Sequence, residues 1–324
     1  MYLHEDRENF RDIIDQVADA TDSAAVVIEK DYYVTLILRL LSDQLDNCVF
    51  KGGTSLSKGY HVINRFSEDI DITFDEHIGE ARRKKLKNKV LKGISEALNM
   101  PITNWDETQS DRDYNAYLFS YTSVFGLEDD KISSAVKLET ALGSYSFPTE
   151  KISIGNYIGD YLAERNRFDL VKEFMLDEFY MKLQALERTY IDKIFALCDY
   201  YLQGKSKRYS RHLYDIYKLS PKMRFDENLE QLYEEVRVHR AGMGICPSAK
   251  DGMDVPALIT EICDNDFYKE DYHAITNYFA DDMIEYQDSI NQMRTLAEWI
   301  KGFKIGKGGN VYEASYEKTG NDSF

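Results

Sequence analysis

Long apolar runs, a basic leader segment and clustered cysteines are all missing from this sequence of 324 residues. No uninterrupted apolar stretch reaches the roughly 18 residues that a membrane helix needs. The best candidate, residues 34–41, is interrupted by Arg39. The first residues, MYLHEDRENF, lack the basic patch and following apolar stretch of a secretory signal. We therefore expect a cytoplasmic protein with no membrane span.

Cysteine is scarce and dispersed. The four cysteines are Cys48, Cys198, Cys246 and Cys263, and their spacing matches no CxxC or Cys/His pattern of a zinc site. We expect reduced thiols that are mostly buried.

Positive charge is in deficit. The chain has 40 Lys and Arg against 57 Asp and Glu, which gives a formal net charge of -17. Because phosphate binding depends on summed positive charge, this balance disfavours indiscriminate adhesion to nucleic acid. Two local segments depart from it. Residues 82–92 carry seven basic residues in eleven and are interpreted as a solvated helix face. For residues 205–212, KSKRYSRH, a solvated face and a phosphate-binding patch both stay open.

The first half of the chain has the pattern of a mixed α and β domain. Apolar residues recur at helical spacing over residues 8–18 and 31–45. A short apolar run over residues 48–50 stops at Gly52 and Gly53, which predicts a buried strand that enters a tight turn. The remaining predictions are a helix over 56–63, a strand over 69–74, a basic helix over 80–98, and strands over 114–124 and 135–142.

Beyond about residue 160 the pattern turns mostly helical. Long helical segments are predicted over residues 177–202, 209–219, 228–239 and 271–303. After about residue 306, glycines mix with polar residues, as is typical of a loose tail. The predicted fold class is therefore α+β, with a sheet domain over 1–160, a helical domain over 161–305 and a flexible tail over 306–324.

The strongest chemical signal begins with the segment KGGTS, which comprises Lys51, Gly52, Gly53, Thr54 and Ser55. The glycines allow backbone geometry that other residues avoid, so the chain can turn sharply from strand to helix and approach a ligand closely. Unpaired N–H groups at the helix start would then attract phosphate, and a threonine or serine hydroxyl could donate as well. The segment is a candidate nucleotide-binding turn.

An acidic pair follows this turn. Asp69 and Asp71 stand two apart on a predicted strand, so their side chains are expected to project together while their neighbours enter the core. Their separation suits carboxylates that share a pair of divalent ions. Magnesium prefers few carboxylates plus phosphate oxygens, which fits an acidic pair beside a phosphate-binding turn. Glu139 is the candidate third ligand, for the ion that activates an acceptor hydroxyl. Its alternative is a charged residue on the wet side of a strand.

At this point the sequence resembles a known family, the AbiEii/AbiGii-type nucleotidyltransferase toxins of the polymerase-β-like superfamily. Each motif alone is only moderately specific, and the ordered combination is much less likely to be accidental. The stretches that carry the resemblance are IEKDYYVTLILRLL (residues 28–41), FKGGTSLSKGY (50–60) and RFSEDIDITF (65–74).

Two later segments extend the resemblance over nearly the whole chain. ERTYIDKIFAL (187–197) resembles the family's third motif, with Lys193 at its key lysine, and RHLYDIYKL (211–219) resembles the fourth, with Asp215 as the key acid. The fourth motif commonly reads Arg-Asp-x-x-Asp, whereas His212 occupies the first acidic position here. Lys193 could reach a triphosphate or its transition state. Arg211 and Asp215 share a helix face, so they could bind nucleotide or simply pair with each other.

The resemblance implies a polymerase-β-like N-terminal lobe with a mixed central sheet and a mainly helical C-terminal lobe. It implies transfer of NMP from an NTP to an acceptor hydroxyl with Mg²⁺ or Mn²⁺. The implied acceptor is RNA, with the tRNA 3′ end as the leading candidate, or another essential cellular molecule. The implied setting is a toxin-antitoxin or phage-defence system with a cognate AbiEi-like antitoxin. The site residues are then Asp69, Asp71 and Glu139 for metal and catalysis, Lys193 and Asp215 for catalysis, and Lys51, Gly52, Gly53, Thr54, Ser55 and Arg211 for nucleotide.

Two other classes of function remain open. A catalytically silent protein that binds an NTP or a protein partner would keep the fold and the phosphate turn but would not release pyrophosphate. A DxD glycosyltransferase should show a Rossmann-like series of alternating strands and helices before its acidic pair. Only two helices and one strand are predicted ahead of the glycine turn here, which disfavours that class.

Overall fold

The structure of the protein is a computed structural model that describes residues 1–65, 67–126, 133–276 and 282–303. Its centre is one six-stranded mixed sheet, and helices surround it, so the predicted α+β class is confirmed. The tail predicted over 306–324 lies outside the described residues. None of the helices within those ranges has the length and apolarity needed to cross a bilayer. All four cysteines are buried and free, as predicted.

The sheet is built from three antiparallel pairs that are joined by parallel contacts. Its order is β3-β4-β2-β1-β6-β5. Strands β1 and β2, β3 and β4, and β5 and β6 pair antiparallel, whereas β2 pairs parallel with β4 and β1 parallel with β6. The central strands β1 and β2 are therefore enclosed on both sides. The strands are β1 (Cys48–Lys51), β2 (Ile70–Phe74), β3 (Tyr114–Ser120), β4 (Ala135–Ala141), β5 (Thr149–Ile154) and β6 (Phe179–Gln184).

Helices α1 (Arg7–Thr21) and α2 (Ala25–Gln44) confirm the first two predicted helices, with slightly different bounds. Helix α3 (Gly52–Lys58) differs from the prediction of a helix over 56–63. It begins directly at the end of β1 because Gly52 adopts φ 81, and it ends before His61, whose φ of 51 cannot continue a right-handed helix. The strand and the helix are thus joined without a loop.

The basic segment forms a continuous helical rod, as predicted. Helix α4 (Glu80–Lys85), a π-helical turn (Leu86–Leu91) and helix α5 (Lys92–Ala97) follow one another without a break. The rod buries apolar side chains such as Leu86 and Val90 against the first core. Four of its basic residues make ion pairs, which supports the interpretation as a solvated face; the pairs are Arg82–Glu76, Arg83–Asp113, Lys84–Glu80 and Lys92–Glu96.

The later part of the chain is mostly helical, with one correction. The prediction of one helix over 177–202 is wrong, because residues 179–184 form β6 and the helix begins only at Leu186. Burial in β6 alternates with period two: Phe179 and Met181 point inward, while Tyr180 is 63% exposed. Strand β5 was not predicted at all. The helices of this part are α6 (Tyr157–Glu164), α7 (Phe168–Glu173), α8 (Leu186–Leu202), α9 (Arg211–Leu219), α10 (Glu227–Gly242), α11 (Val255–Asp264), α12 (Lys269–Asp271) and α13 (Tyr286–Lys301).

The segment 271–303, predicted as one helix, is also divided. Helix α12 runs into a π-helical turn, Tyr272–Thr276, and α13 begins separately after Glu285, which has an extended backbone conformation. Four helices begin at a side chain that accepts a hydrogen bond from a backbone N–H of the first turn, a stabilising cap. The four capping residues are Asp6, Asn156, Asp226 and Asp254.

Two hydrophobic cores underlie the two halves. The first takes its buried residues from Leu3 to Leu183, and the second takes Leu56, Ile63 and residues from Tyr190 to Ile300. The division of the chain at about residue 160 stays a prediction. Strand β6 lies beyond that position and yet belongs to the sheet, so the cores favour a boundary between β6 and α8.

Candidate active site

Strand register brings the predicted carboxylates together at one place on the sheet. Lys51, at the end of β1, lies opposite Asp71 on β2. Because β2 and β4 run parallel, Asp71 in turn lies beside Glu139. Asp69 comes directly before β2, on the same side. The glycine turn, the acidic pair and the third carboxylate therefore share one site.

The two glycines allow a close approach that side chains would block. A Cβ atom at Gly52 would lie 2.0 Å from Oδ2 of Asp71. A Cβ atom at Gly53 would lie 2.7 Å from Nη2 of Arg65 and 2.8 Å from Oγ of Ser67. The turn thus lies directly against the Asp71 carboxylate on one side and the Arg65 guanidinium on the other.

Asp71 and Glu139 form an adjoining pair of carboxyl groups. Burial raises the pKa of Asp71 to about 7, and the negative charge of Glu139 adds to the effect. When it is protonated, the Asp71 carboxyl donates a hydrogen bond to Glu139. Burial would also raise the pKa of Glu139, but hydrogen bonds from Lys137, Asp71 and Tyr114 outweigh it and lower that pKa. Burial and Glu139 thus favour the protonated form of Asp71 at pH values below about 7.

A lysine ammonium lies between two of the three carboxylates. Nζ of Lys137 is 3.0 Å from Oδ2 of Asp69 and 2.7 Å from Oε1 of Glu139. The hydroxyl of Tyr114 donates to the same Glu139 oxygen over 2.8 Å. The ammonium of Lys137 therefore already compensates the negative charges of Asp69 and Glu139.

The donor chemistry of this cluster fits a divalent cation. Within the described residues, no group of three or more His, Cys, Asp or Glu side chains is arranged to hold a metal ion. Three carboxylates nevertheless adjoin one another: Asp71 lies beside Glu139 in the strand register, and Lys137 bridges Glu139 and Asp69. Proton and ammonium are the positive charges that a divalent ion would replace. The residues fit such an ion once the Lys137 side chain moves aside.

A second charged group lies behind the glycine turn and centres on Asp215. Arg65 donates to this carboxylate through Nε and Nη2, each over 2.7 Å, and Lys193 donates through Nζ over 2.7 Å. Asp215 is fully buried. Burial would raise its pKa, but the charges of Arg65 and Lys193 outweigh that effect and hold the pKa well below its usual range. The pKa of Lys193 is lowered by burial despite the nearby Asp215.

This group decides between two interpretations of the fourth motif. Asp215 pairs with Arg65 and Lys193, so the alternative in which Arg211 pairs with Asp215 does not occur. Arg211 forms no ion pair within the described ranges, and neither does Lys51. Both stay available for an anion.

The hydroxyls of the turn are engaged internally. Oγ1 of Thr54 lies 2.9 Å from Oγ of Ser67, and the hydroxyl of Ser55 donates to the carbonyl oxygen of Gly52 over 2.9 Å. Both side chains are buried. They stabilise the shape of the turn, and donation from either to a phosphate stays a prediction.

Three contributors to the site escaped sequence reasoning: Arg65, Tyr114 and Lys137. Arg65 begins the stretch RFSEDIDITF, but no spacing pattern assigns a role to a single arginine that precedes an acidic pair. Lys137 shares a face of its strand with Glu139, and that two-residue spacing was the available signal. Tyr114 reaches Glu139 across the β3–β4 pairing, whose register the sequence alone does not provide.

Comparison with known proteins decides the family. The model of the family described as "Nucleotidyl transferase AbiEii toxin, Type IV TA system" matches residues 36–298, a range that contains every candidate site residue. The chain belongs to this family. It is therefore a nucleotidyltransferase toxin of a type IV toxin-antitoxin system, and the resemblance inferred from its motifs is confirmed.

Membership of the AbiEii family fixes the reaction class. It implies an NTP as donor substrate and an antitoxin as partner, and it does not fit a DxD glycosyltransferase. Among solved structures, the chain is similar to MenT4, a nucleotidyltransferase toxin from Mycobacterium tuberculosis H37Rv, with 15% sequence identity, 90% of each chain covered and a TM-score of 0.47. No curated protein matches the chain.

Proposed function

We propose that this AbiEii toxin transfers NMP from an NTP to the 3′ hydroxyl of tRNA, with Mg²⁺ or Mn²⁺ held by Asp69, Asp71 and Glu139. The observation that carries the proposal is the contact of Asp71 with both Gly52 and Glu139. A buried carboxyl whose pKa is raised thus adjoins a turn in which two successive residues are glycine. This combination suits a triphosphate with its metal ion.

The bound ion neutralises phosphate charge and activates the acceptor hydroxyl. The protein contributes mainly position and charge, since phosphoryl chemistry asks for little covalent work from side chains. Gly52 and Gly53 let the turn lie directly against Asp71 and Arg65, and Thr54 and Ser55 hold the turn in shape. Lys51 and Arg211 are cations without an ion pair in the described part of the chain, and we assign them to the triphosphate.

Lys193 and Asp215 act as a pair in this proposal. Lys193 is the candidate for contact with the transferring phosphate, where charge develops in the transition state. Asp215 is a positioning residue, because it is fully buried and holds both Lys193 and Arg65. His212, which replaces an acid of the family's fourth motif, is not assigned a step.

Purified protein incubated with total RNA, Mg²⁺ and each α-labelled NTP tests the proposal. We expect label in tRNA for at least one nucleotide. Asp71→Asn should lower the rate by about 10³-fold or more, equal to about 4 kcal/mol of transition-state stabilisation. The matched control is Asp75→Asn, since Asp75 follows the same strand but pairs with Lys182 outside the cluster. If Asp71→Asn is as active as its control, the assignment of Asp71 is wrong. If no nucleotide labels tRNA, tRNA is not the acceptor.

The biological setting is also part of the proposal. We infer a cytoplasmic toxin, an AbiEi-like antitoxin encoded beside it, and a role in phage defence by abortive infection. Co-expression with the neighbouring gene product should restore growth that the toxin alone arrests. Phage plaque counts on cells with and without the pair test the defence role.

A further inference from the structure

Three aromatic rings lie nearly parallel where α8 meets the loop before α9. Tyr200 and Tyr209 stack with ring centroids 3.5 Å apart and an interplanar angle of 20°. His212 is inclined to Tyr200 by only 5°, with centroids 5.8 Å apart. All three residues are partly exposed to solvent. We call this group the ring platform.

The loop that carries the platform is held in place by one carboxylate. Asp271 accepts hydrogen bonds from the backbone N–H groups of Arg208 and Ser210 and from the hydroxyl of Ser210. Tyr209 lies between these two anchored residues. Its ring is therefore pre-positioned rather than free to turn away, which lowers the entropic cost of binding a planar ligand.

Uncompensated positive charge surrounds the rings. Lys205, Lys207, Arg208 and Arg211 form no ion pair within the described residues, although the chain carries 57 acidic side chains. The other basic segment, α4 to α5, neutralises most of its charges locally. A segment of four unpaired cations in a chain of net charge -17 indicates a polyanionic ligand.

The platform shares its helices with the candidate active site, since Tyr200 lies on α8 with Lys193, and His212 lies on α9 three residues before Asp215. Tyr200 lies close enough to Glu139 for that carboxylate to raise its pKa, although burial is the main cause. His212 lies within reach of the charges of Lys193 and Asp215, and burial lowers its pKa well below the usual value. Its Nδ1 atom is buried without a hydrogen-bond partner, and buried polar atoms are rarely left unpaired.

We propose that the ring platform, with Lys205, Lys207 and Arg208, binds the single-stranded end of the acceptor RNA and leads it to the carboxylate cluster. Parallel rings stack on unpaired bases, and cations follow the phosphate backbone. Lys51, which lies opposite Asp71, and Arg211 are assigned to the triphosphate, so Lys205, Lys207 and Arg208 are left for a longer polyanion. This inference rests on the proposed transfer to RNA and names the surface that holds the acceptor.

Direct binding, without NTP or metal, tests the platform separately from catalysis. Fluorescence anisotropy measures the affinity for a labelled single-stranded RNA of about eight nucleotides, within the usual site size, and for a duplex of equal length. The double variant Lys205→Glu/Lys207→Glu should weaken single-strand binding about tenfold or more. It should also reduce the slope of log Kd against log salt by about 1.4, since each phosphate contact contributes about 0.7.

The matched control is Lys85→Glu/Lys89→Glu. These two lysines are exposed, lack ion pairs in the described part of the chain, and change the net charge equally. The control should bind RNA with an affinity within about two-fold of wild type. Equal losses in both double variants would mean that only overall charge matters and would overturn the platform.

A ring substitution isolates stacking from charge. Tyr209→Leu should weaken single-strand binding about five-fold or more, whereas Tyr209→Phe, which keeps the ring, should bind as wild type.

If Tyr209→Leu weakens binding of NTP but not of RNA, the rings hold the donor base and the proposal is wrong. Equal affinity for the duplex, or binding of an acidic protein with no RNA binding, would also overturn it. Loss of transfer with intact RNA binding would instead count against the proposed reaction alone.

Discussion

At the residue scale, the proposed function centres on one carboxyl group, that of Asp71. Gly52 packs closely against it, and burial and the charge of Glu139 disfavour a bare negative charge there. The protein therefore keeps an unfavourable electrostatic arrangement at the place where a cation and a triphosphate are proposed to bind. Such perturbed groups are typical of functional sites.

The first prediction concerns stability against pH in EDTA. The pKa of Asp71 is raised to about 7 in the folded protein, against about 3.9 in an unfolded chain. The folded state thus binds the extra proton between about pH 4 and pH 7, so its stabilising contribution is present below that window and is lost as pH rises through it. Asp71→Asn removes the effect. From pH 5 to pH 8, its free energy of unfolding should rise relative to wild type by about 1 kcal/mol or more, the value of one pKa unit.

Urea unfolding at both pH values measures this difference, and Asp75→Asn serves as the control. A constant difference between Asp71→Asn and wild type across the window would show that Asp71 is ionised in the folded protein at all these pH values. The carboxyl pair would then be described wrongly.

The second prediction concerns Lys137 as an internal competitor of the metal ion. Its ammonium contacts Asp69 and Glu139, so a divalent ion must displace it. Lys137→Met keeps the aliphatic stem and removes the charge. We expect Mn²⁺ to bind about tenfold more tightly, a change of about 1.4 kcal/mol, as measured by calorimetry without nucleotide. Weaker or unchanged Mn²⁺ binding would mean that Lys137 does not compete for this position.

At the element scale, the joint between the halves is a buried ion pair. Arg65, just after α3, meets Asp215 of α9 and thereby Lys193 of α8. Buried charged groups of this kind are costly to leave unpaired, whereas exposed ion pairs contribute little. The elements around the glycine turn are thus tied to the helical half by charge as well as by the apolar contacts of Leu56 and Ile63.

The third prediction follows from this contrast. Arg65→Met should lower the free energy of unfolding by about 3 kcal/mol or more, because Asp215 loses its bidentate partner while it stays buried. Arg294→Met removes an exposed pair with Asp264 and should cost less than about 1 kcal/mol. Thermal and urea unfolding compare the two variants. Similar small losses in both would show that the Arg65–Asp215 pair does not stabilise the joint.

Elements were predictable where local periodicity is strong. The helices α1, α2 and α4 to α5 and the strand β2 could be read from spacing, because each has one clear apolar face. Strand β6 was misread because its apolar residues run directly into those of α8, and only tertiary pairing with β1 and β5 makes it a strand. The start of α3 depends on the positive φ of Gly52, which spacing does not reveal.

The candidate site, like the elements, was predictable from the sequence only where local spacing determines it. A two-residue period gives the shared direction of Asp69 and Asp71. That Glu139 adjoins Asp71 follows from the parallel register of β2 and β4, for which the sequence offers only the alternation along each strand. The partners of Asp215 come from elements that are distant along the chain, so local spacing suggested Arg211 and missed Arg65.

At the scale of the whole molecule, the sheet decides how the chain divides. Strand β6 lies between β1 and β5, so removing it would leave β5 without a partner and open one side of β1. The first core also uses buried residues as late as Leu183. A sheet domain therefore needs residues well beyond 160.

The fourth prediction compares two fragments. Residues 1–185 keep all six strands and should unfold cooperatively in urea, although less stably than the full chain. Residues 1–160 lack β6 and should aggregate or show no cooperative transition. Cooperative unfolding of the shorter fragment would contradict a sheet that depends on β6 and would support the boundary drawn from the sequence.

The position of the label in the donor nucleotide tests the central claim most directly. With wild-type protein, Mg²⁺ and tRNA, an NTP labelled at the α-phosphate should leave its label in RNA, and the same NTP labelled at the γ-phosphate should release its label as pyrophosphate. Asp71→Asn should do neither, and Asp75→Asn should do both. Label from the γ-phosphate in RNA, or release of inorganic phosphate without α-label in RNA, would contradict nucleotidyl transfer at this carboxylate cluster.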